Sequence, residues 1–327
     1  VLLLTTGGTI GMIHNPDGGL SPCQDTGLLI DRVPELARVA HVDLLPVTNV
    51  DSSNLQPELW KTLSGAIYER MDEYDGFVVT HGTDTLPYTA AALSFMLQEL
   101  PKPVVITGAQ LPLDDIGTDA RSNLINAFRV ATSDIAEVVV VFGTEIIRGT
   151  RAKKMSVFDL QAIATVKDVS LGSIGLFIKF DSDVRPRGLR RALHQPFLNE
   201  NVCRICLYPG FKPEILEYLS TTHAGIVIEG FGGGNIPTEN RSIIPVMKAA
   251  IARNIPIVVC TPCIIGSTQM RLYHVGRAAL EAGAIPAMDM TPETTLVKLM
   301  WVLGQTADMR TIASMMEKSF TGELQEV

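Results

Sequence analysis

The chain has no apolar run near the roughly 18 residues that a membrane-crossing helix requires, so nothing in it reads as a helical anchor. Cysteine is scarce: five in 327 residues, at positions 23, 203, 206, 260 and 263. An odd, sparse set in a chain of this length excludes a disulfide framework. The spacing of Cys203 with Cys206 and of Cys260 with Cys263 is that of a four-thiolate zinc site. However, Val202–Tyr208 and Pro256–Thr261 both read as buried strands. Positions three apart on a strand project to opposite faces, so no metal is expected and the thiols read as reduced core groups, which favours the cytoplasm. Positive charge is also short, with 27 Lys and Arg against 35 Asp and Glu and a net charge of -8. That removes the phosphate neutralisation from which non-specific nucleic-acid binding draws its free energy. The sequence holds no internal repeat, no low-complexity tract and no recognisable secretory leader. Neither nucleic acid nor membrane is an expected partner.

What the chain does have is hydrophobic content of 46% with 19% charged residues, a composition that buries large sheets, and a length that suits two domains. Short apolar runs alternate with amphipathic segments. Strands are expected over Val1–Thr6, Val42–Val47, Gly76–Thr80, Val104–Thr107 and Val138–Phe142, with helices over Gly27–Val39, Pro57–Met71, Thr85–Leu100 and Ser122–Thr132. Runs such as FVVT and EVVVV, apolar at nearly every position, suit a sheet covered on both faces. The fold class is therefore α/β: a larger, doubly wound, mostly parallel N-terminal domain over 1–183. Residues 184–201, with Arg185, Arg187, Arg190, Arg191 and two prolines, read as a solvated linker. The alternation resumes in a smaller α/β domain over 202–327, with strands in VCRICLYPG, AGIVIEGFGG and IPIVVCT and a helical C-terminus that includes Pro292–Leu303 and Met309–Lys318. The methionines near that end read as adaptable packing.

In an open α/β sheet, ligands bind beyond the carboxyl ends of the strands. Three loops at such ends in the first domain carry hydroxyl or carboxylate groups, two of them together with glycine. Thr5–Gly11 (TTGGTIG) follows the first strand. Its spacing is not G-x-G-x-x-G, and the polar stretch His14–Pro22 follows it in place of a helix, which argues against a dinucleotide. A hydroxyl in a glycine-lined turn is a candidate nucleophile; alternatively, the threonine simply satisfies turn backbone. Asn49–Ser53 (NVDSS) ends the second strand and His81–Thr85 (HGTDT) the third. Asp51 and Asp84 in these loops are equally suited to cap the helices that follow. Three polar loops at one sheet edge fit a site better than three coincident caps.

GGTIG (residues 7–11), VDSSN (50–54), HGTDT (81–85) and RGTRAKK (148–154), in this order, resemble the asparaginase/glutaminase family, and among its branches the cytosolic type I enzymes. TGAQLP, YPG, GFGGGN, DMTPE and the terminal TGEL extend the resemblance along the chain. The resemblance implies hydrolysis of L-asparagine to L-aspartate and ammonia, with no metal and no organic cofactor. It implies Thr9 as nucleophile, and Thr83, Asp84 and Lys154 as the second threonine, its acidic neighbour and the family lysine; Lys153 lies next to that last position. Asp51 and Ser52 would hold the α-amino and α-carboxylate groups of the substrate, Ala109 would contact its amide through the backbone, and the loop glycines Gly8 and Gly82 would offer N–H groups to an oxyanion. A homodimer or a dimer of dimers is implied, since sites in the family lie near subunit interfaces.

The chemistry agrees with this carry-over. A threonine hydroxyl is a weak nucleophile near neutral pH and needs a neighbouring base, and its β-branch restricts χ1 and helps hold the attack geometry. A Lys154 ion-paired with Asp84 acts as an electrostatic stabiliser; unpaired, it serves as a base. One departure stands out: many relatives carry a tyrosine in the mobile segment after GGTI, and Met12–Asp25 here has none. His14 is a candidate in its place, or a surface histidine with no role. Cys263, in Thr261-Pro262-Cys263, falls where some type I relatives bind an effector. Two rival readings are an ammonia-supplying subunit of archaeal glutamyl-tRNA amidotransferase, which would carry a further domain before the first strand, and a non-catalytic amino-acid sensor, which would be expected to lack the threonines or the lysine. Glutamine differs from asparagine by one methylene, worth about 1–3 kcal/mol in discrimination.

Overall fold

The computed structural model describes residues 1–15, 17–22, 27–167 and 170–325. The chain forms two compact units, Val1–Pro196 and Phe197–Val327. The first is built on an eight-stranded sheet with β1 (Leu2–Gly7), β2 (Asp43–Val50), β3 (Phe77–Thr80), β4 (Val104–Thr107), β5 (Val138–Phe142), β6 (Glu145–Arg148), β7 (Gly172–Ile174) and β8 (Ile178–Phe180). Their spatial order is β8-β7-β6-β5-β4-β3-β1-β2. β1 to β5 are parallel, and β6, β7 and β8 extend the sheet as antiparallel strands. The chain passes from β1 to β2 on one side, then returns across β1 to β3 on the other. The winding therefore reverses at β1, and at such a switch point a crevice opens beyond the carboxyl ends.

β1, β3, β4 and β5 are buried at every position, because helices cover both faces. Leu3, Val78, Val105 and Val139 pack with Leu124 and Phe128 of α4 (Ala120–Ala131). The alternate residues Leu4, Val79 and Ile106 pack with Leu63 of α2 (Pro57–Glu69) and Leu93 of α3 (Leu86–Met96). The continuous helix expected over Gly27–Val39 is interrupted. α1 is only Leu28–Arg32, and a separate 3-10 turn runs from Pro34 to Arg38. A residue before proline is pushed out of the α region, and Val33 sits at φ -125, ψ 65.

Much of the arginine-rich stretch belongs to the first unit and is anchored to it. Arg187 donates from Nε to Ser133 O at 2.7 Å, from Nη1 to Asp75 O at 2.6 Å and from Nη2 to Ala131 O at 2.8 Å. Arg148 pairs with the buried Glu137 at 2.8 Å, and Glu137 also accepts from the Arg185 backbone N–H at 2.9 Å. Leu193–His194 adds a short antiparallel pairing with Leu97–Gln98. The boundary between units falls after Pro196: Arg187 caps carbonyls of the first unit and Glu137 holds the Arg185 backbone, in place of solvent.

The second unit is a four-stranded parallel sheet in the order β9 (Val202–Cys206), β10 (Gly225–Glu229), β11 (Ile257–Cys260) and β12 (Ile285–Pro286). Helices α5 (Pro213–Thr222), α6 (Ile244–Ala252), α7 (His274–Glu281), α8 (Pro292–Gln305) and α9 (Met309–Glu317) accompany it. Its main core includes Leu216, Ile226, Ile228, Met247, Val259 and Ala279. Lys298 of α8 is buried and donates to Met316 O at 3.0 Å, Lys318 O at 2.6 Å and Glu323 at 2.7 Å. Burial pushes the Glu323 carboxyl up, but the Lys298 charge and backbone N–H donors outweigh it and hold the group below the usual carboxylate range. Burial pushes the Cys203 thiol up to about 11, and it raises Cys260 as well. Among the described residues, no helix is long and apolar enough to cross a membrane.

Candidate active site

The expected site residues converge at the carboxyl edge of the first sheet. β1 ends at Gly7 and Gly8 follows, both at positive φ, and Thr9 opens a single 3-10 turn over Thr9–Gly11. Gly8 lies against the β3 loop so closely that a Cβ on it would stand 2.5 Å from Gly82 Cα. A Cβ on Gly82 would stand 2.6 Å from Ser52 Oγ. Only glycine at both positions lets the three loops meet. Two cross-links hold them: Thr6 Oγ1 donates to Thr80 O at 2.8 Å, and Thr85 Oγ1 donates to Ser52 O at 2.8 Å. Thr9, Ser52 and Thr83 are thereby gathered around one glycine contact.

Lys154 closes the cluster from another direction. It ends the strand Ala152–Lys154, which pairs with Ile163–Thr165. Its Nζ donates to Thr83 Oγ1 at 2.8 Å and to Asp84 Oδ1 at 2.6 Å. Asp84 therefore pairs with the lysine, and α3 begins after Thr85 without a side-chain cap. Asp51 does act as a cap: its Oδ1 accepts from Ser53 N at 2.8 Å and Ser53 Oγ at 2.5 Å. These Ser53 bonds, aided by the Lys154 charge, hold the Asp51 carboxyl below the usual range. The carboxylate is exposed at the rim and ionised near neutral pH, suited to an incoming ammonium. Ala109 is fully buried in the turn after β4.

Three polar groups to which the sequence alone assigns no role support these loops. His81 is fully buried, and burial lowers it to about 4, so it is neutral. Its Nδ1 meets Gly82 O at 2.7 Å and its Nε2 meets Thr89 Oγ1 at 2.8 Å, while Trp60 Nε1 donates to the same Thr89 oxygen at 3.0 Å. With Nδ1 protonated, one chain satisfies every group: Trp60 to Thr89, Thr89 to His81, His81 to the Gly82 carbonyl. Gln110, next to Ala109, accepts from Thr83 Oγ1 at 3.1 Å. Asp119, at the start of α4, accepts from the backbone N–H of Gln110 and Leu111 instead of capping its own helix. Gln110 fits the rule that singles out the other loops, as a polar side chain at a strand end. Asp119 reads as an ordinary cap, and nothing in sequence tells a buried histidine from an exposed one.

His14 pairs with Asp115 at 2.6 Å on the exposed side of the hairpin Met12–His14/Leu20–Pro22. Part of the segment expected to cover the site, residues 16 and 23–26 with Cys23, lies outside the described residues. Among the described residues, no group of three or more His, Cys, Asp or Glu is arranged to hold a metal ion. A threonine turn, an exposed carboxylate and a lysine bridging a hydroxyl to a carboxylate are the parts for nucleophilic attack on a polar carbonyl compound, with charge stabilisation beside it.

Comparison with known proteins agrees with that class. The family model "Asparaginase, N-terminal" matches residues 1–185, and "Glutaminase/Asparaginase C-terminal domain" matches 201–316. An L-asparaginase of Thermococcus kodakarensis is 39% identical over 333 residues, covering 99% of this chain and 98% of that protein. The structure of the thermostable L-asparaginase from the same organism superposes with a TM-score of 0.93 at 38% identity, over 100% of this chain and 99% of that one. A subunit of the glutamyl-tRNA(Gln) amidotransferase of Pyrococcus horikoshii is 37% identical over 337 residues, covering 99% of this chain and 76% of that protein. The fold is that of an amide-bond hydrolase. The chain belongs to the asparaginase family.

Proposed function

We propose that this protein is an L-asparaginase, converting L-asparagine to L-aspartate and ammonia through an acyl-enzyme on Thr9. The observation that carries this reading is Lys154 Nζ donating at once to Thr83 Oγ1 and Asp84 Oδ1, beside the Gly8–Gly82 contact that sets Thr9 next to the same loop. Asp51 and Ser52 take the α-ammonium and α-carboxylate. Thr9 Oγ attacks the side-chain amide carbon, and backbone N–H groups of the Gly8 and Gly82 turns stabilise the developing oxyanion. The C–N bond breaks, the Thr9 proton ends on the departing nitrogen, and ammonia leaves. Water then attacks the Thr9 ester, one of its protons returns to Thr9 Oγ, and aspartate is released. Lys154, committed to two acceptors, acts as a fixed positive charge for both steps, with no metal or organic cofactor. The enzyme works in the cytoplasm with reduced thiols. It self-associates as a dimer or a dimer of dimers, a reading supported by exposed apolar turns at Val157 and Phe158 (88% and 89% exposed) and at Leu176 and Phe177 (87% and 78%).

The test is ammonia release from L-asparagine and L-glutamine in parallel, with wild type and Thr9→Ala, alongside light scattering for mass in solution. Asparagine turnover that disappears in the variant supports the reading, and a sigmoidal rate curve adds an effector site. No release from either amide rejects it and favours an ammonia-channelling subunit or a sensor.

A further inference from the structure

Thr83 Oγ1 stands between two groups of opposite character. Lys154 Nζ donates to it at 2.8 Å, and it donates to Gln110 Oε1 at 3.1 Å. A hydroxyl has one proton and two lone pairs, and an ammonium has donors only. The Thr83 proton therefore points at Gln110, one lone pair is taken by Lys154, and the direction of the second lone pair is set by these two bonds. A carboxamide oxygen accepts a hydrogen bond without removing the proton, so Gln110 orients the hydroxyl and does not activate it as a base.

Gln110 is itself fixed from below. Its backbone N–H donates to both oxygens of Asp119, at 3.1 and 3.0 Å, and Leu111 N–H donates to the same carboxylate at 3.0 Å. Asn123, fully buried one turn further along α4, donates to Asp119 Oδ2 at 3.0 Å and to Gly108 O at 3.0 Å, and accepts from Gly143 N at 2.8 Å. A Cβ on Gly108 would stand 3.5 Å from Thr83 Cγ2, so this braced turn lies directly against the threonine. A helix-start aspartate ordinarily turns back to cap its own N–H groups. Here that task at Ala120 N falls to Thr118 Oγ1 at 3.0 Å, and Asp119 is left to the loop.

We propose that Gln110 is a positioning residue of the reaction, resting on the hydrolase reading above. It holds the Thr83 proton away from Lys154, so that the second lone pair of Thr83 stays open to a donor from the water that releases aspartate, and the Asp119–Asn123 brace sets Gln110 in place.

The test compares the full-length wild type with Gln110→Met, which keeps length but loses the acceptor, and Gln110→Glu, which keeps an acceptor oxygen at the same place. Wild type is first shown to release ammonia from L-asparagine, and thermal midpoints check that each variant is folded. The expected result is a kcat lowered by about 10- to 100-fold in Gln110→Met with KM within about three-fold, the scale of a misaligned catalytic group. Gln110→Glu recovers kcat to within about five-fold of wild type and displaces its pH profile, since the acceptor returns together with a charge. A Gln110→Met kcat within about two-fold of wild type overturns the proposal, and so does an equal loss in both variants. An inactive wild type instead overturns the hydrolase reading and this inference with it.

Discussion

Two lysines, one in each unit, are ion-paired with a carboxylate at nearly the same distance, and their surroundings give them different tasks. Lys154 meets Asp84 at 2.6 Å with the lysine side chain 20% exposed and the aspartate 60% exposed. Lys298 meets Glu323 at 2.7 Å with both side chains fully buried. The three N–H groups of Lys298 go to Glu323 and two backbone carbonyls, and the carboxylate in turn binds the N–H groups of Phe320 and Thr321. That pair closes the C-terminal turn onto α8 and has no route to a ligand. Lys154 instead holds a hydroxyl and a half-solvated carboxylate at the exposed edge of the sheet. Desolvation makes the buried pair costly to break and of little use for chemistry. Exposure makes the rim pair weak as a fastener and available to a substrate.

The comparison breaks most sharply at the threonines. Thr9→Ala and Thr83→Val are each expected to lower turnover by about 10³-fold or more, with thermal midpoints close to wild type. Stopped ammonia assays and melting curves on the same samples check this, and near-wild-type turnover in either variant rejects its assigned role. The lysines themselves should show crossed effects. Lys154→Met is expected to lower kcat by about 10²–10³-fold with little change in stability. Lys298→Met leaves Glu323 buried without its partner and is expected to cost about 3–5 kcal/mol in denaturant titrations, while activity per folded molecule persists. A stable Lys298→Met protein would remove the contrast.

His81 offers a pH handle on the brace beneath the rim. Its folded-state value of about 4 lies below the ordinary histidine value of 6.5, so between these limits the unfolded chain binds a proton that the folded chain does not. Its contribution is fully present above pH 6.5 and is lost as pH falls toward 4. Full loss would be on the order of 3 kcal/mol, at about 1.4 kcal/mol per pKa unit. Denaturation free energies of wild type and His81→Gln across about pH 4–7 measure it, and equal slopes would show that His81 does not carry the effect. The smallest expected effect is at the exposed rim: Asp51→Ala should raise KM for asparagine by about 10-fold, one charge-assisted hydrogen bond, and leave kcat within a few-fold. An unchanged KM rejects the substrate-binding role.

Much of the first sheet was legible because its strands are apolar at nearly every position, a pattern that only burial on both faces produces. The antiparallel strands β6, β7 and β8 were not, since EIIR, GSI and IKF are short and carry little periodicity. The helix expected over Gly27–Val39 failed at Pro34, where a local steric rule overrode the amphipathic pattern. In the site, Thr9, Asp51, Thr83 and Asp84 stood out as polar groups in strand-end loops, the two threonines beside glycine. Gln110 occupied the same kind of position and drew no role, because its significance lies in a single contact with a residue 27 positions earlier.

By itself, the sequence determined the alternation of strands and helices, the two α/β units, and a set of glycines that only closely approaching backbones require. These are local properties, decided by periodicity and backbone sterics within a few residues. Only the tertiary structure decided that Gly82 meets Gly8 and Ser52, that Lys154 bridges Thr83 and Asp84 across some 70 residues, and that Asp119 braces a loop and does not cap its helix. It also decided that one ion-paired lysine is sealed in a core while the other stands partly exposed at the carboxyl edge of the sheet. Such pairings depend on which strand lies beside which and on how much water reaches them, and neither is written within any one segment of the chain.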